Sequence, residues 1–324
     1  MWPGLRLRPG PHRFIPPVDQ FIQTVVDSVT LGSVYALIAL GYSMVYGILK
    51  LLNFAHGDVF MVGSFIGLGV LHAFGGAANP SISIWLVLIL MALAAMVGCA
   101  LLGVAVERFA YRPLRNAPRI APLISALGTS FFIAYSMQLL FGANHRTYDT
   151  FSMAGGKLFL KGITWGPLHV SFVRLLVIAV TAVAMLVIWQ LVTRTRMGKA
   201  MRATSFDREA ATMMGVDVDK VIVFTFVVGS ALAGLGGVLF SLRSDVYSQM
   251  GFLAGLSGFT AAVIGGIGSV PGAILGGFLL GLVETVTNVY ISTGWSNLFI
   301  FSILVIFMLV RPSGILGKAD IKKV

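Results

Sequence analysis

The chain has 324 residues, 57% of them hydrophobic and 11% charged, with a formal net charge of +11 and a mean hydropathy of +0.92. Soluble domains carry roughly 25% charge, so this composition excludes a soluble globular protein and points to one integral membrane domain. A single cysteine, Cys99, excludes an internal disulfide and a cysteine-rich metal site and reads as a small apolar filler.

Residues 1–18 form an arm rather than a cleavable signal. Pro3, Pro9, Pro11, Pro16 and Pro17 interrupt it, and the apolar run that follows is long enough to span. A spanning helix takes about 20 apolar residues, and the runs predict spans near 21–48, 57–74, 84–106, 120–142, 170–192 and 221–242. The glycine-dense stretch 253–290 predicts two more, broken at Ser269-Val270-Pro271-Gly272, and 295–311 predicts the last. None of these runs alternates as barrel strands do. The expected fold is therefore an all-α polytopic membrane protein, a bundle of about nine (eight to ten) transmembrane helices over 19–312 with a tail at 313–324.

Lys and Arg of short loops concentrate on the cytoplasmic side. Arg194, Arg196, Lys199, Arg202, Arg208 and Lys220 fall in one interval, Arg108, Arg112, Arg115 and Arg119 in another, and Arg311, Lys318, Lys322 and Lys323 in the tail. An odd number of crossings puts all three inside and the amino terminus outside, against the pull of Arg6, Arg8 and Arg13. Trp85, Trp165 and Trp295 fall near predicted span ends, as interfacial aromatics do. Cations scattered beside spans suit anionic membrane lipid as a partner rather than nucleic acid.

The interval 193–220 is a polar, mostly basic stretch between two long apolar runs. Thr204 is the expected N-cap, with Asp207 three residues on as a variant capping box, and Gly215 falls where a helix ends at C′. Phe206, Ala210, Met213 and Met214 repeat at helical spacing on one apolar face, and Met197, Ala200 and Met201 do so on a preceding helix. Ala210 and Ala211 are small enough for another surface to approach the backbone closely. Spacing alone allows either a helix lying on the membrane surface or the docking element of a partner. Its tight junction with two spans favours the second, because it would turn a partner's motion into rearrangement of the bundle.

Three blocks carry a resemblance: Tyr42-Ser-Met-Val-Tyr-Gly-Ile-Leu-Lys-Leu-Leu-Asn-Phe-Ala-His-Gly-Asp58, Arg208-Glu-Ala-Ala-Thr-Met-Met-Gly-Val-Asp217 and Gly258-Phe-Thr-Ala-Ala-Val-Ile-Gly-Gly-Ile-Gly-Ser-Val-Pro-Gly-Ala-Ile-Leu-Gly-Gly277. In this order, across residues 20–317, the chain resembles the LivH-type membrane permeases of branched-chain amino acid ABC importers. That resemblance implies a bacterial inner-membrane permease working with a second related permease, two cytoplasmic ATP-binding subunits and a periplasmic substrate-binding protein. It also implies that a Glu-Ala-Ala-x-x-x-Gly helix, matched here by Glu209, Ala210, Ala211 and Gly215, sits in a cleft of the ATPase. Phe206, Arg208, Glu209, Ala210, Ala211, Met214 and Gly215 are then the expected coupling contacts.

The chain has no Gly-x-x-x-x-Gly-Lys-Ser/Thr phosphate loop, so ATP and its magnesium would belong to partner chains, with no cofactor or metal on this one and no catalytic residue. The glycines around Gly268, Gly272 and Gly276 fit small-x-x-x-small helix packing. They also fit a discontinuous helix at the pathway, with Gly265, Gly266 and Gly268 lining it. Asn53, His56 and Asp58 interrupt the first two spans. Either they line the pathway, since buried ionisable residues face an interior, or they form a cytoplasmic turn in which Asp58 caps span two. Asp27, Glu107 and Glu284 lie near predicted span ends and read as solvated headgroup positions. The long outside loop from Gly142 to His169, with Tyr148, Lys157, Lys161 and Trp165, reads either as a contact for the binding protein or as a surface-packed loop.

The function expected is alternating access for branched-chain or other hydrophobic amino acids, driven by partner ATPases. The alternatives are a permease of the same type for urea, amides or other amino acids, and an ion-coupled carrier or channel acting alone.

Overall fold

The structure, a computed structural model, describes residues 17–76, 82–115, 117–118, 120–148, 162–165 and 168–317. The arm's arginines, Arg119, Lys157, Lys161 and the tail lysines lie outside the described residues.

In chain order the helices are α1 (Pro17–Leu49), α2 (His56–Ala73), α3 (Ile84–Val106) and α4 (Ile120–Phe141), then α5 (Phe172–Arg194), α6 (Arg196–Phe206) and α7 (Arg208–Met213). They are followed by α8 (Val218–Ser241), α9 (Met250–Gly265), α10 (Val270–Tyr290) and α11 (Ser296–Val310). A short antiparallel hairpin, β1 (Gly162–Trp165) with β2 (Leu168–Ser171), precedes α5. α3 continues through a π turn at Glu107–Tyr111 and a 3-10 turn at Arg112–Leu114.

Among the described residues eight helices are long and apolar enough to cross a bilayer, and the chain is an all-α polytopic membrane protein. The ninth expected crossing, α9, has only 16 residues. At 1.5 Å per residue it is about 24 Å long, short of the ~30 Å hydrocarbon core. The length is made up by the segment before it, where Leu242, Val246 and Ser248 are buried, so irregular backbone runs inside protein rather than in lipid.

α1 is the central helix, packing along α10, α8 and α9. It can do so because glycine removes the side chain at each closest approach. A Cβ on Gly277 would lie 2.4 Å from Ala36 N, and one on Gly281 would lie 2.4 Å from Gly32 N. α9 and α10 run antiparallel on the same principle, with a Cβ on Gly276 only 1.9 Å from Ala261 O. Gly272 and Gly276 thus follow the small-residue packing expected of them, whereas Gly268 lies in the turn between the helices, at φ +89°. Outer faces of α3, α4 and α11 present large apolar side chains such as Leu101, Phe132, Leu139 and Leu309. Facing lipid, such surface is at no disadvantage.

Side-chain pairs mark the two ends of the bundle. At one, Arg208 of α7 donates to the Ile48 carbonyl of α1, and Arg115 pairs with Glu107 and Asp219. At the other, Asp27 of α1 pairs with Arg174 of α5 and Arg243 beyond α8. α1 therefore starts at the end opposite the basic interval 193–220, as an odd number of crossings requires.

Three carboxylates depart from the solvated positions expected of them. Glu107 is 1% exposed and paired with Arg115. Glu284 accepts a hydrogen bond from the Tyr35 hydroxyl at 2.6 Å inside the α1–α10 contact. Asp27 is held by two arginines. Hydropathy alone misses the partners of Glu284 and Asp27 because they come from distant parts of the chain. Tyr148 is also not on a docking surface: it is buried, its hydroxyl donating to the Ser64 carbonyl at 2.7 Å.

Candidate functional site

Two helix N-termini meet inside the bundle. After α1 the chain turns at Lys50 (φ +55°) and re-enters, with Asn53 and Ala55 buried, before α2 begins at His56. The Tyr111 hydroxyl lies 3.2 Å from the Leu52 carbonyl and 3.0 Å from Asn53 Oδ1, occupying acceptors that the re-entrant linker would otherwise bury without partners. The segment 242–249, anchored by buried Leu242, Val246 and Ser248, likewise delivers the start of α9 to the same place. Contact is close because both sides are glycine: a Cβ on Gly57 would lie 2.2 Å from Gly251 O and 2.6 Å from Gly255 Cα.

His56 and Asp58 project from this junction in different directions. His56, 1% exposed, packs edge-on to Tyr42 with ring centroids 4.7 Å apart, and its Nε2 has no hydrogen-bond partner. It sits where Gly41 of α1 leaves room, a Cβ there being 2.3 Å from Nε2. Asp58, also 1% exposed, turns toward α4, where Ser130 donates to Oδ2 and Oδ1 is left without a partner. Ser130 lies midway along α4, so the carboxylate is at mid-depth of the bundle. Asp58 is thus neither in a cytoplasmic turn nor the cap of α2, whose N-cap is Ala55. The linker dips into the bundle instead of turning at its end.

Beside Asp58 is a cavity of about 300 Å³ lined by Ser130, Phe131, Ala134, Tyr135 and Gln138 of α4, with Tyr247, Gln249, Phe252 and Leu253 from the start of α9. Phe131, Tyr135 and Phe252 are more than half exposed, so the cavity opens on the outer face of this chain. Most of its wall is apolar with a few convergent polar tips, the usual make-up of a small-molecule site. Sequence reasoning found Asp58 but not its neighbours. Ser130, Ala134 and Gln138, at helical spacing in an otherwise apolar span, were the available signal. Of the other expected path residues, Asn53 faces Tyr111, while Gly265, Gly266 and Gly268 lie at the far end of α9. There Gly266 (φ +109°) packs against Ser313 and Gly317, and Gly268 against Gly47; none lines this cavity. Among the described residues no three His, Cys, Asp or Glu side chains cluster to hold a metal ion.

The basic interval forms a second site at the bundle's end. It is two helices, α6 and α7, and the break between them falls at Asp207 rather than at Thr204. Thr195 caps α6, accepting from Gly198 N at 3.0 Å, and Asp207 caps α7, accepting from Ala210 N at 3.0 Å. Thr204 is not a cap: it lies in the last turn of α6 and its hydroxyl donates back to the Ala200 carbonyl. Asp207 wins because extended backbone at φ −154° breaks the helix there. Gly215, at φ +81°, follows the last helical turn, and Val216 N donates to Ala211 O at 3.0 Å, a Schellman closure.

α6 seats Met201 and Thr204 on the bundle, and α7 seats Ala211. Glu209 and Ala210 are exposed, as are Phe206, Met213 and Met214, each at least 84%. The expected apolar face therefore points away from the bundle. Arg208 points the other way, its Nε and Nη2 donating to the Ile48 carbonyl at 3.1 and 2.6 Å. Burial first, and then the neighbouring Arg115, hold its pKa below the ordinary arginine value. Asp217, the cap of α8, is held below the usual carboxylate range by its hydrogen bonds to the Lys220 side chain and amide.

The family described as branched-chain amino acid transport system / permease component matches residues 24–309. The high-affinity branched-chain amino acid transport system permease protein LivH of Escherichia coli is 39% identical over 308 residues, covering 94% of this chain and 98% of its own. BraD of Pseudomonas aeruginosa, another high-affinity branched-chain amino acid transport system permease protein, is 37% identical over 317 residues, covering 96% and 100%. The E. coli permease protein LivM of the same kind of system is 26% identical over 310 residues, covering 90% and 69%. No solved structure matches. With a family match across nearly the whole bundle and relatives of this identity at full length, the chain belongs to the permease components of branched-chain amino acid transport systems.

Proposed function

We propose that this chain carries branched-chain amino acids across a bacterial inner membrane by alternating access. It works beside a second, related permease, two cytoplasmic ATPases that bind ATP and magnesium, and a periplasmic binding protein. The observation that carries this reading is α7, whose end exposes Met213 and Met214 while Arg208 at its start grips the end of α1. An exposed apolar helix tip on a structured base is the form a docking element takes. The names of the LivH and BraD relatives support the cargo, and the LivM relative supports a second permease of the same fold.

The connection from α7 to the cavity is short. Partner movement displaces α7, Arg208 transmits it to Ile48, and the linker from Lys50 to Ala55 leads directly to His56 and Asp58 at the junction with α9. Small shifts at a helix junction with glycine on both sides rearrange both N-termini together.

ATP-driven uptake by the reconstituted complex tests the reading. Glu209→Ala changes the exposed surface of α7, and Gly215→Leu forces a side chain into left-handed backbone at φ +81°. Both are expected to reduce uptake at least about ten-fold, ~1.4 kcal/mol, with this chain still folded in the membrane. Wild-type uptake in both would refute the coupling role.

A further inference from the structure

The two walls of the cavity belong to different parts of the bundle. α4 packs on α2 and on the π turn after α3 rather than along α9, whereas α9 packs on α1, α2 and α10. The wall from Ser130 to Gln138 and the wall from Tyr247 to Leu253 are therefore not held together by helix packing. They are joined instead at the outer end. Past the end of α4, Arg146 N donates to the Val246 carbonyl at 2.9 Å and Val246 N donates to the Arg146 carbonyl at 2.7 Å, an antiparallel bridge. One residue along, the ring of His145 stacks on that of Tyr247, with centroids 4.5 Å and planes 23° apart. His145 Nδ1 also lies 3.5 Å from Asp245 Oδ2.

Both sides of this bridge are anchored in the bundle. Arg146 donates to the Phe141 carbonyl at 2.6 Å, and Phe141 packs on Phe65 of α2 with ring centroids 4.9 Å apart. Across from it Val246 is fully buried, and the next residue, Tyr247, lines the cavity. The bridge itself is slight. His145 and Asp245 are 61% and 52% exposed, so their charges add little. The rest is two backbone hydrogen bonds, which water can replace, and one ring contact. Elements that move in a working protein come from this low-stability end of its contacts.

We infer that the Arg146–Val246 bridge, with His145 stacked on Tyr247, is a clasp that closes the outer end of the cavity and parts when the transporter opens outward to receive cargo. The inference rests on the alternating-access reading above and adds the contact that forms the outer gate. Parting the clasp separates the end of α4 from the segment that leads into α9, so the two cavity walls open without any change inside either helix.

A reversible cross-link tests it. Because Arg146 and Val246 exchange both hydrogen bonds, His145 and Tyr247 form the adjoining non-hydrogen-bonded pair, with Cα atoms about 4.5 Å apart, within the range of about 4.4–6.8 Å that disulfides span. Cys99 is buried with its thiol toward the Val59 carbonyl and does not compete. In the assembled transporter in proteoliposomes, fed by leucine-loaded binding protein, His145→Cys with Tyr247→Cys is expected to form a disulfide on mild oxidation. Uptake is then expected to fall at least about ten-fold below that of the same sample reduced, and to return on reduction. The two single variants are expected to respond to neither reagent.

A second measurement reads the gate without a cross-link. In an Ala134→Cys background, an impermeant thiol reagent on the binding-protein side is expected to label at least about three-fold faster once His145→Ala removes the ring stacked on Tyr247. If the reduced cysteine pair does not transport, this measurement alone decides. Failure of the pair to form a disulfide overturns the inference, as does equal uptake in the oxidised and reduced states, or labelling that His145→Ala leaves unchanged or slows. Each of these leaves the transport reading standing. A wild-type complex that accumulates no amino acid overturns that reading, and this inference with it.

Discussion

Gly57→Ala places one methyl group at the tightest point of the junction that holds Asp58. Its carbon would lie 2.2 Å from Gly251 O, 2.6 Å from Gly255 Cα and 2.9 Å from Gly255 N. All three are backbone atoms, so no rotamer change relieves the contact and α2 and α9 must separate by about 1 Å to reach ordinary van der Waals distance. Overpacking of this kind costs about 1–3 kcal/mol, and backbone neighbours place it at the upper end. Alanine's advantage over glycine inside a helix, ~1 kcal/mol, offsets little of it in a first turn. Gly69, in the same helix, has nothing within 4 Å of a built Cβ. Gly69→Ala is therefore the matched control, expected to be neutral or slightly stabilising. Thermal midpoints of the purified protein should show Gly57→Ala lower by several degrees and Gly69→Ala unchanged or higher. Uptake should fall with Gly57→Ala alone, because separation of the helices also moves Gly251 away from Asp58. Equal midpoints and equal uptake for the two variants would refute the close junction.

Arg115→Ala leaves the carboxylate of Glu107 buried at 1% exposure without its partner, an error that costs about 3–5 kcal/mol in buried pairs. Asp219→Ala removes a partner that is 54% exposed and should cost less than about 1 kcal/mol; denaturation midpoints that rank the two variants in reverse would contradict the burial of Glu107. Asp217 titrates at lower pH folded than unfolded, since its bonds to Lys220 favour the carboxylate. The stability it contributes is present above the unfolded pKa and is lost as pH falls through the folded one. The midpoint difference between wild type and Asp217→Ala should be the same at about pH 5 and about pH 8 and shrink below about pH 4; a difference that grows on acidification would show the sign to be wrong.

Much of the bundle was legible because lipid imposes one rule on every span. About 20 apolar residues must follow one another, and that rule located α3 and α4 nearly residue for residue. It failed at α9, whose 16 residues are completed by a partly buried irregular segment; hydropathy averages over both without distinguishing them. The same averaging placed Glu284 and Asp27 near solvent, since Tyr35, Arg174 and Arg243 lie far away in the chain. At the basic end Gly215 was readable as a helix stop because only glycine accepts φ +81° cheaply. The N-cap was not readable with equal certainty, because Thr204 and Asp207 are both good caps and the choice depends on where the backbone extends.

By itself the amino-acid sequence determined that this chain lives in a bilayer, that its spans are helices, and that it belongs with permeases of one family. These follow from composition, from hydrophobic length and from motifs that are local in the chain. Only the tertiary structure decided that Asn53, His56 and Asp58 leave the end of the bundle and enter it, that the carboxylate of Asp58 lies between Ser130 and the start of α9, and that α7 turns its methionines outward while Arg208 holds α1. The physical reason is that each of these depends on which glycines meet across helices and on which buried polar group finds a partner. Both are properties of contacts between segments far apart in sequence.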